Sequence, residues 1–261
     1  SRLDENRGVK MAKLDGKKAL ITGASRGIGA GIAQAFAAEG ADVVINFPND
    51  SERTNADAVV KSLVGSGCNA ASVEADIADE SQVDAMVESA LAQLGRIDIL
   101  VNNAGIAPGM LIEDTSTEVL DRILAVNVRG TFLVTRRVLP LMYAQDYGKI
   151  INTASQHAYS GWPGLTAYTA SKGAVISFTR SLALEVGARN INVNCVAPGG
   201  TRTPILADVP EELVEEVRLG IPKQRIAEVE DIVPAYVFLA SDENRHFHGQ
   251  CLSPNGGDVM L

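Results

Sequence analysis

The chain is 261 residues long, with 46% apolar and 21% charged residues, the balance of a globular protein able to bury a substantial core. Its formal net charge of −9 speaks against a nucleic-acid partner, because phosphates attract basic faces. No stretch approaches the ~20 apolar residues of a membrane span, and the polar, charged N-terminus is unlike a signal peptide, so a cytoplasmic location without membrane contact is expected. The three cysteines, Cys68, Cys195 and Cys251, show no metal-ligand spacing; no metal site is expected, and free thiols suit a reducing compartment.

In chain order, residues 1–12 read as a flexible tail and 13–261 as one catalytic domain. Lys18 to Thr22 (KALIT) is a short strand, followed at once by Gly23-Ala-Ser-Arg-Gly27-Ile-Gly29 and an amphipathic helix through Ile32, Ala35 and Phe36 to Gly40. Strand, glycine-rich turn and helix N-terminus together make an anion site, since unpaired backbone N–H groups and the helix dipole point at the ligand. Gly23 would permit the tight turn, Gly27 the approach of a pyrophosphate and Gly29 close helix–strand packing. Ser25, Arg26 and Ile28 complete this candidate cradle. Further strands are expected at Asp42–Phe47, Asn69–Ala75, Ile97–Asn102, Lys149–Thr153, Asn190–Val196 and Gln250–Ser253. Helices are expected at Glu52–Leu63, Asp79–Leu94, Thr117–Ala144, Thr166–Val186 and Val229–Ala240. This alternation implies an α/β fold, a parallel sheet covered on both faces in three layers. Gly199 to Pro222 breaks the rhythm with a short acidic helix pattern at Glu211–Leu219. Gly23, Asn102, Ser155 and Pro198 follow strands one, four, five and six, and so converge on the crevice where open parallel sheets bind ligands.

Tyr168 and Lys172 lie four residues apart in TAYTASKGA, with Ser155 upstream. Residues i and i+4 share a helix face. A lysine cation beside a phenol of pKa about 10 is expected to lower that value and make it a usable general acid or base.

With the turn and this pair in hand, the chain resembles the short-chain dehydrogenase/reductase family from about Leu14 to the C-terminus. The resemblance rests on TGASRGIG (Thr22–Gly29), Asn102-Asn103-Ala104-Gly105, Asn127 in AVNVRG, Ser155 in INTAS, Tyr168 and Lys172, Pro198-Gly199 followed by Thr203, and Asp76 in EADIAD. It implies a Rossmann-type doubly wound sheet, a bound nicotinamide nucleotide and hydride transfer at a carbonyl or carbinol carbon. Carried over by position, Asn127, Ser155, Tyr168 and Lys172 are the expected catalytic residues, with Tyr168 exchanging the proton, Ser155 supporting the oxygen, Lys172 also holding the ribose and Asn127 anchoring a proton-relay water. Asp76, with Ile77 beside it, would meet the adenine; Asn103, Ala104 and Gly105 would border the cofactor; Pro198, Gly199, Thr201 and Thr203 would wrap the nicotinamide. Thr201 departs from the Ile or Val common there. The segment at 199–222 would be a substrate lid, and the two long middle helices would build a homotetramer.

The end of the second strand, Ile45-Asn46-Phe47-Pro48, lacks the carboxylate that binds the adenosine ribose in NAD-preferring proteins. Arg26 could meet a 2′-phosphate, assisted by Ser51 or Arg53. NADP(H) is therefore favoured, with Asn46 and Phe47 as neighbours of the ribose and NAD(H) left open. The substrate stays open among carbonyl or alcohol small molecules. SRGIG and INFPND resemble bacterial 3-oxoacyl-thioester reductases, Ser155-Gln-His157 with Trp162-Pro163 resembles glucose 1-dehydrogenases, and VAPGGTRTPI resembles polyhydroxynaphthalene reductases. Ser155, His157 and Tyr168 are the candidate substrate contacts.

Overall fold

A computed structural model describes residues 12–206 and 209–260; of the tail expected at the N-terminus, all but Ala12 lies outside the described residues. Seven strands form one sheet in the order β3-β2-β1-β4-β5-β6-β7, every neighbouring pair parallel. They are β1 Lys18–Ile21, β2 Asp42–Phe47, β3 Ala70–Glu74, β4 Ile99–Asn102, β5 Gly148–Thr153, β6 Ile191–Val196 and β7 Cys251–Leu252. The expected Rossmann-type sheet is present, with β7 cut to two residues. Strand order reverses between β1 and β4, which opens a crevice at their carboxyl ends.

Helices α1 Gly27–Ala38, α2 Arg53–Gly65, α3 Glu80–Leu94, α4 Thr117–Leu124, α5 Thr131–Gln145, α6 His157–Ser160, α7 Thr166–Val186, α8 Glu211–Gly220 and α9 Val229–Ala240 connect the strands. Successive strand residues feed opposite faces, as the period of two requires. Leu20 and Val44 join Met86 and Val87 of α3, Val134 and Val138 of α5 and Leu182 of α7. Ile21, Val43 and Ile45 join Ile32 and Phe36 of α1, Val59 of α2 and Tyr236 of α9 on the other face. Each face thus has its own apolar layer, and the sheet is the middle layer of three.

Local chemistry sets the helix ends. Asp79 caps α3 by accepting from the Gln82 N–H at 3.1 Å, and Gly95 ends it at φ +77°, a conformation glycine takes without Cβ strain. The helix expected over Thr117–Ala144 differs. It is interrupted by a wide π-type segment, Ala125–Gly130, between α4 and α5. Asn127 sits in that segment with its side chain tied to another part of the chain, and a Cβ on Gly130 would meet Ile77 Cδ1 at 2.6 Å. Close packing there and the Asn127 tether favour a widened turn, as π-bulges do at functional sites. The acidic helix expected after β6 is α8, preceded by a 3₁₀ turn at Pro204–Leu206. Among the described residues, no helix is long and apolar enough to cross a membrane.

Candidate active site

Four loops meet at the carboxyl ends of β1, β4, β5 and β6. After β1 the backbone passes through Gly23 (φ +61°) and Gly27 (φ +58°) into α1, both in the left-handed region that favours glycine. A Cβ at Gly23 would stand 2.6 Å from Ala104 Cα, and one at Gly29 would stand 2.4 Å from the Gly23 carbonyl oxygen. Asn103 braces this turn, donating from Nδ2 to the carbonyls of Thr22 (3.0 Å) and Gly23 (2.9 Å). The N–H groups of Asn103 and Ala104 reach Thr22 Oγ1 at 3.0 and 3.1 Å. The first N–H groups of α1 therefore open onto a cradle walled by backbone, and the residues present fit a pyrophosphate.

The neighbours of the turn divide by role. Asn46, expected near the ribose, is turned inward: Oδ1 accepts from the Gly23 N–H at 3.2 Å, and Nδ2 donates to the carbonyls of Val73 (3.3 Å) and Ala75 (2.9 Å). Phe47 is buried beside it, with the Arg53 guanidinium 5.4 Å from its ring. Ile28 packs on the α1 layer. Ser25 Oγ donates to Glu52 at 2.9 Å, and Arg26 pairs with the same carboxylate at 3.3 Å. Asp76 pairs with Arg122 at 2.8 Å and accepts from the Ala78 N–H at 3.0 Å, so both of its oxygens have protein partners. Ile77 is buried against Gly130.

The reactive corner is built from β5, α7 and the π-type segment. Ser155 follows β5, is buried, and accepts from the His157 N–H at 3.2 Å. Tyr168 rises from the first turns of α7, its phenol near enough to the Ser155 hydroxyl for that group to act on its ionisation. Lys172, one turn on, donates from Nζ to the Thr153 carbonyl at 2.7 Å and lies 5.8 Å from the Tyr168 ring centre. A Cβ at Gly105 would stand 3.2 Å from that ammonium, so the Asn-Asn-Ala-Gly loop lets the lysine through. Asn127 exchanges two hydrogen bonds with the backbone of Ile106, both at 2.9 Å, and donates to Ser171 Oγ at 2.9 Å. Its side chain thus ties α7 to the loop after β4.

The electrostatics correct one expectation. Burial holds the Tyr168 phenol above its ordinary pKa, with the Ser155 hydroxyl pulling the other way, and Lys172 is not what sets the direction. Lys172 itself is pushed down to about 8 by burial, because a buried ammonium loses its water. A phenol held above its ordinary value is a proton donor at neutral pH. Burial also lowers the His157 pKa; this ring lies 5.5 Å from Trp162 and near Ser160 Oγ at 3.3 Å.

After β6, Pro198 accepts from the Gln156 N–H at 3.0 Å, and a Cβ on Gly199 would meet Asn255 Cα at 2.7 Å. Thr201 is turned in, its hydroxyl donating to the Gly199 carbonyl at 2.8 Å. Thr203 crosses the glycine turn, within 3.6 Å of where a Gly27 Cβ would stand. The expected residues therefore gather in one crevice, though Asn46, Asp76 and Thr201 have their side chains engaged by the protein.

A family model described as enoyl-(acyl carrier protein) reductase matches residues 23–258. The 3-oxoacyl-(acyl-carrier-protein) reductase FabG of Thermotoga maritima is 39% identical over 248 residues, covering 95% of this chain and all of that one. The chain belongs to the short-chain dehydrogenase/reductase family. It is an oxidoreductase of that family. Among solved structures, 3-ketoacyl-(acyl-carrier-protein) reductase from Brucella melitensis complexed with NADH is 38% identical with a TM-score of 0.87. A blue fluorescent protein from a metagenomic library in complex with NADPH is 37% identical with a TM-score of 0.88. Each alignment covers 95% of this chain and the whole of the other.

Sequence reasoning missed several residues that shape this dehydrogenase/reductase site. Thr22 and Ser171 act through hydroxyls that hold loops, and Glu52 acts from beyond β2. Thr22 precedes the first glycine of the turn and Ser171 precedes Lys172, so adjacency was an available signal for both. Nothing in local spacing points from Glu52 to Arg26.

Proposed function

We propose that this chain is an NADP(H)-dependent reductase of 3-oxoacyl thioesters, with Tyr168 as the general acid. The observation that carries the reading is the meeting of Ser155, Tyr168 and Lys172 at the same end of the sheet as the glycine cradle. A bound reduced nicotinamide supplies the hydride. Ser155 holds the carbonyl oxygen by donating a hydrogen bond, a one-residue oxyanion support. Tyr168 gives its proton to that oxygen, and its raised pKa suits the direction of reduction. Lys172 holds the ribose and restores the proton through its ammonium, while Asn127 fixes the distance between α7 and the loop after β4. Pro198, Gly199 and Thr203 close over the cofactor, and 199–222 acts as the lid. The names of the relatives support the thioester, and the lack of an acid at the end of β2 supports NADP(H). Leu120, Leu124, Phe132 and Leu184 are exposed on α4, α5 and α7, which supports a homotetramer packed through these helices.

The test is loss of NADPH absorbance with acetoacetyl and longer 3-oxoacyl thioesters, beside oxidation of glucose and polyols with NADP and NAD. Turnover of thioesters with a higher kcat/KM for NADPH than for NADH is expected. Activity confined to sugar or polyol oxidation overturns the substrate, and a preference for NADH overturns the cofactor.

A further inference from the structure

Glu52 closes a short 3₁₀ turn, Asp50–Glu52, that follows β2. Its side chain is 13% exposed, against 57% for its partner Arg26. The carboxylate bridges two pieces of chain. On one side, Oε2 accepts from Asn55 Nδ2 at 3.1 Å, within α2. On the other it accepts from Ser25 Oγ at 2.9 Å and pairs through Oε1 with Arg26 at 3.3 Å, both in the glycine turn. The other cation at this corner is engaged elsewhere: Arg53 donates to Asp50 Oδ1 at 2.7 Å and pairs with Glu74. Arg26 is thus the guanidinium at the turn, and Glu52 neutralises it.

In this fold the adenosine ribose lies between the glycine turn and the carboxyl end of β2, where an acid selects NAD through the 2′-hydroxyl and an arginine accommodates the 2′-phosphate of NADP. Here both groups stand in the same place and face each other. The carboxyl end of β2 offers no acid, since Asn46 is turned inward and Phe47 is buried; Glu52 supplies one from five residues beyond that strand. We propose that Glu52 is the specificity-determining residue of the adenosine end, a resident competitor for Arg26 that accepts from the ribose hydroxyl of NAD(H) and limits the preference for NADP(H). This rests on the reading of the crevice as a dinucleotide site. A 2′-phosphate must draw Arg26 away from Glu52 and then sit beside a carboxylate, a like-charge contact. Burial works against ionisation of Glu52, but hydrogen bonds from Asn55 and Ser25 and the charge of Arg26 outweigh it, so the carboxyl lies below its usual range. The competitor is charged at neutral pH.

The experiment is equilibrium titration of NADPH and NADH, read by nicotinamide fluorescence, against wild type, Glu52→Gln, Arg26→Leu and the double variant. Glutamine keeps an oxygen to accept from Ser25 and removes the charge. Glu52→Gln is expected to tighten NADPH by about threefold to fivefold and to weaken NADH by about threefold, the scale of one partly exposed ion pair. Arg26→Leu is expected to weaken NADPH and leave NADH within about twofold. Adding Glu52→Gln to Arg26→Leu should leave most of the NADPH gain unrealised, because the competitor has nothing to compete for. If both cofactors bind and Glu52→Gln leaves their affinity ratio within about twofold of wild type, the inference is overturned while the site reading stands. If Glu52→Gln binds neither cofactor, the Arg26→Leu arm decides: an unchanged NADPH affinity overturns the inference, and a selective loss of NADPH supports it. Binding of neither cofactor to wild type overturns the site reading and this inference together.

Discussion

The glycine turn after β1 and the reactive corner after β5 are built on opposite terms. At the turn, polar groups pair with protein: Thr22, Gly23, Asn46 and Asn103 satisfy one another across β1, β2 and β4. Among the described residues three buried side-chain oxygens have no protein hydrogen-bond partner: Gln156 Oε1 and the Tyr159 hydroxyl in the segment after β5, and Asn102 Oδ1 at the end of β4; the Lys172 ammonium has one acceptor, the Thr153 carbonyl. A satisfied polar network rigidifies, whereas buried groups left short of partners cost stability. The glycine cradle is therefore held as shaped backbone, and more of the uncompensated burial lies after β5, around Gln156, Tyr159 and Lys172. Folds commonly break their local rules at functional sites.

The sharpest way to break this contrast is Tyr168→Phe. It removes one hydroxyl at the corner and touches nothing at the turn. General acid catalysis contributes about 10²–10⁴-fold, so kcat is expected to fall by at least ~100-fold while the NADPH dissociation constant stays within about twofold. Stopped-flow and fluorescence titration separate the two, and a variant retaining a tenth of wild-type turnover removes Tyr168 from the chemistry. Gly29→Ala probes the other region. Its Cβ would meet backbone at 2.4 Å and Asn103 Nδ2 at 2.6 Å, neither a flexible side-chain end free to swing away. Overpacking of this kind costs about 1–3 kcal/mol, to be seen both as weaker cofactor binding and as a lower Tm. Unchanged binding would mean that the cradle adapts, and the contrast between a rigid turn and a costly corner would be lost.

Much of this division was readable from the chain. Strand periodicity and the glycine spacing located the sheet and the turn, because both are set by local backbone rules. Of the four expected catalytic positions, Ser155 follows a strand end, Tyr168 and Lys172 were legible as an i,i+4 pair on one helix, and Asn127 only through the family resemblance. Three things were not legible. The break at Ala125–Gly130 arises from contacts of Asn127 with Ile106 and Ser171, which lie far apart in sequence, and helical periodicity passes through it unaltered. The inward turn of Asn46 is a matter of burial against the β3 end, where its place at the end of the second strand suggested a ribose contact. The direction of the Tyr168 pKa was misread from i,i+4 spacing, since adjacency gives a charge its place but not its distance or the solvent it displaces.

Lys172→Met tests the smallest of these effects and the one with the clearest sign. The folded pKa of Lys172 is about 8, against about 10.4 for a free lysine. Below pH 8 the ammonium is charged in both states, and the folded protein carries the whole penalty of burying it. Between about 8 and 10.4 the unfolded chain binds more protons than the folded one, so this group makes wild-type stability rise with pH. Above that window the penalty is gone. At 1.36 kcal/mol per pKa unit the ceiling is about 3 kcal/mol, and relaxation around the charge brings the expected change to about 1–2 kcal/mol. Methionine also orphans the Thr153 carbonyl, a cost that does not vary with pH, so the stability difference at any single pH is a mixture of the two. Its slope is not. Urea unfolding of both proteins from pH 7.5 to 10.5 should show wild type gaining about 1–2 kcal/mol on the variant, because other titrating groups cancel in the difference. A flat difference would mean that water already solvates this ammonium, and the catalytic corner would then be no costlier to fold than the turn it faces.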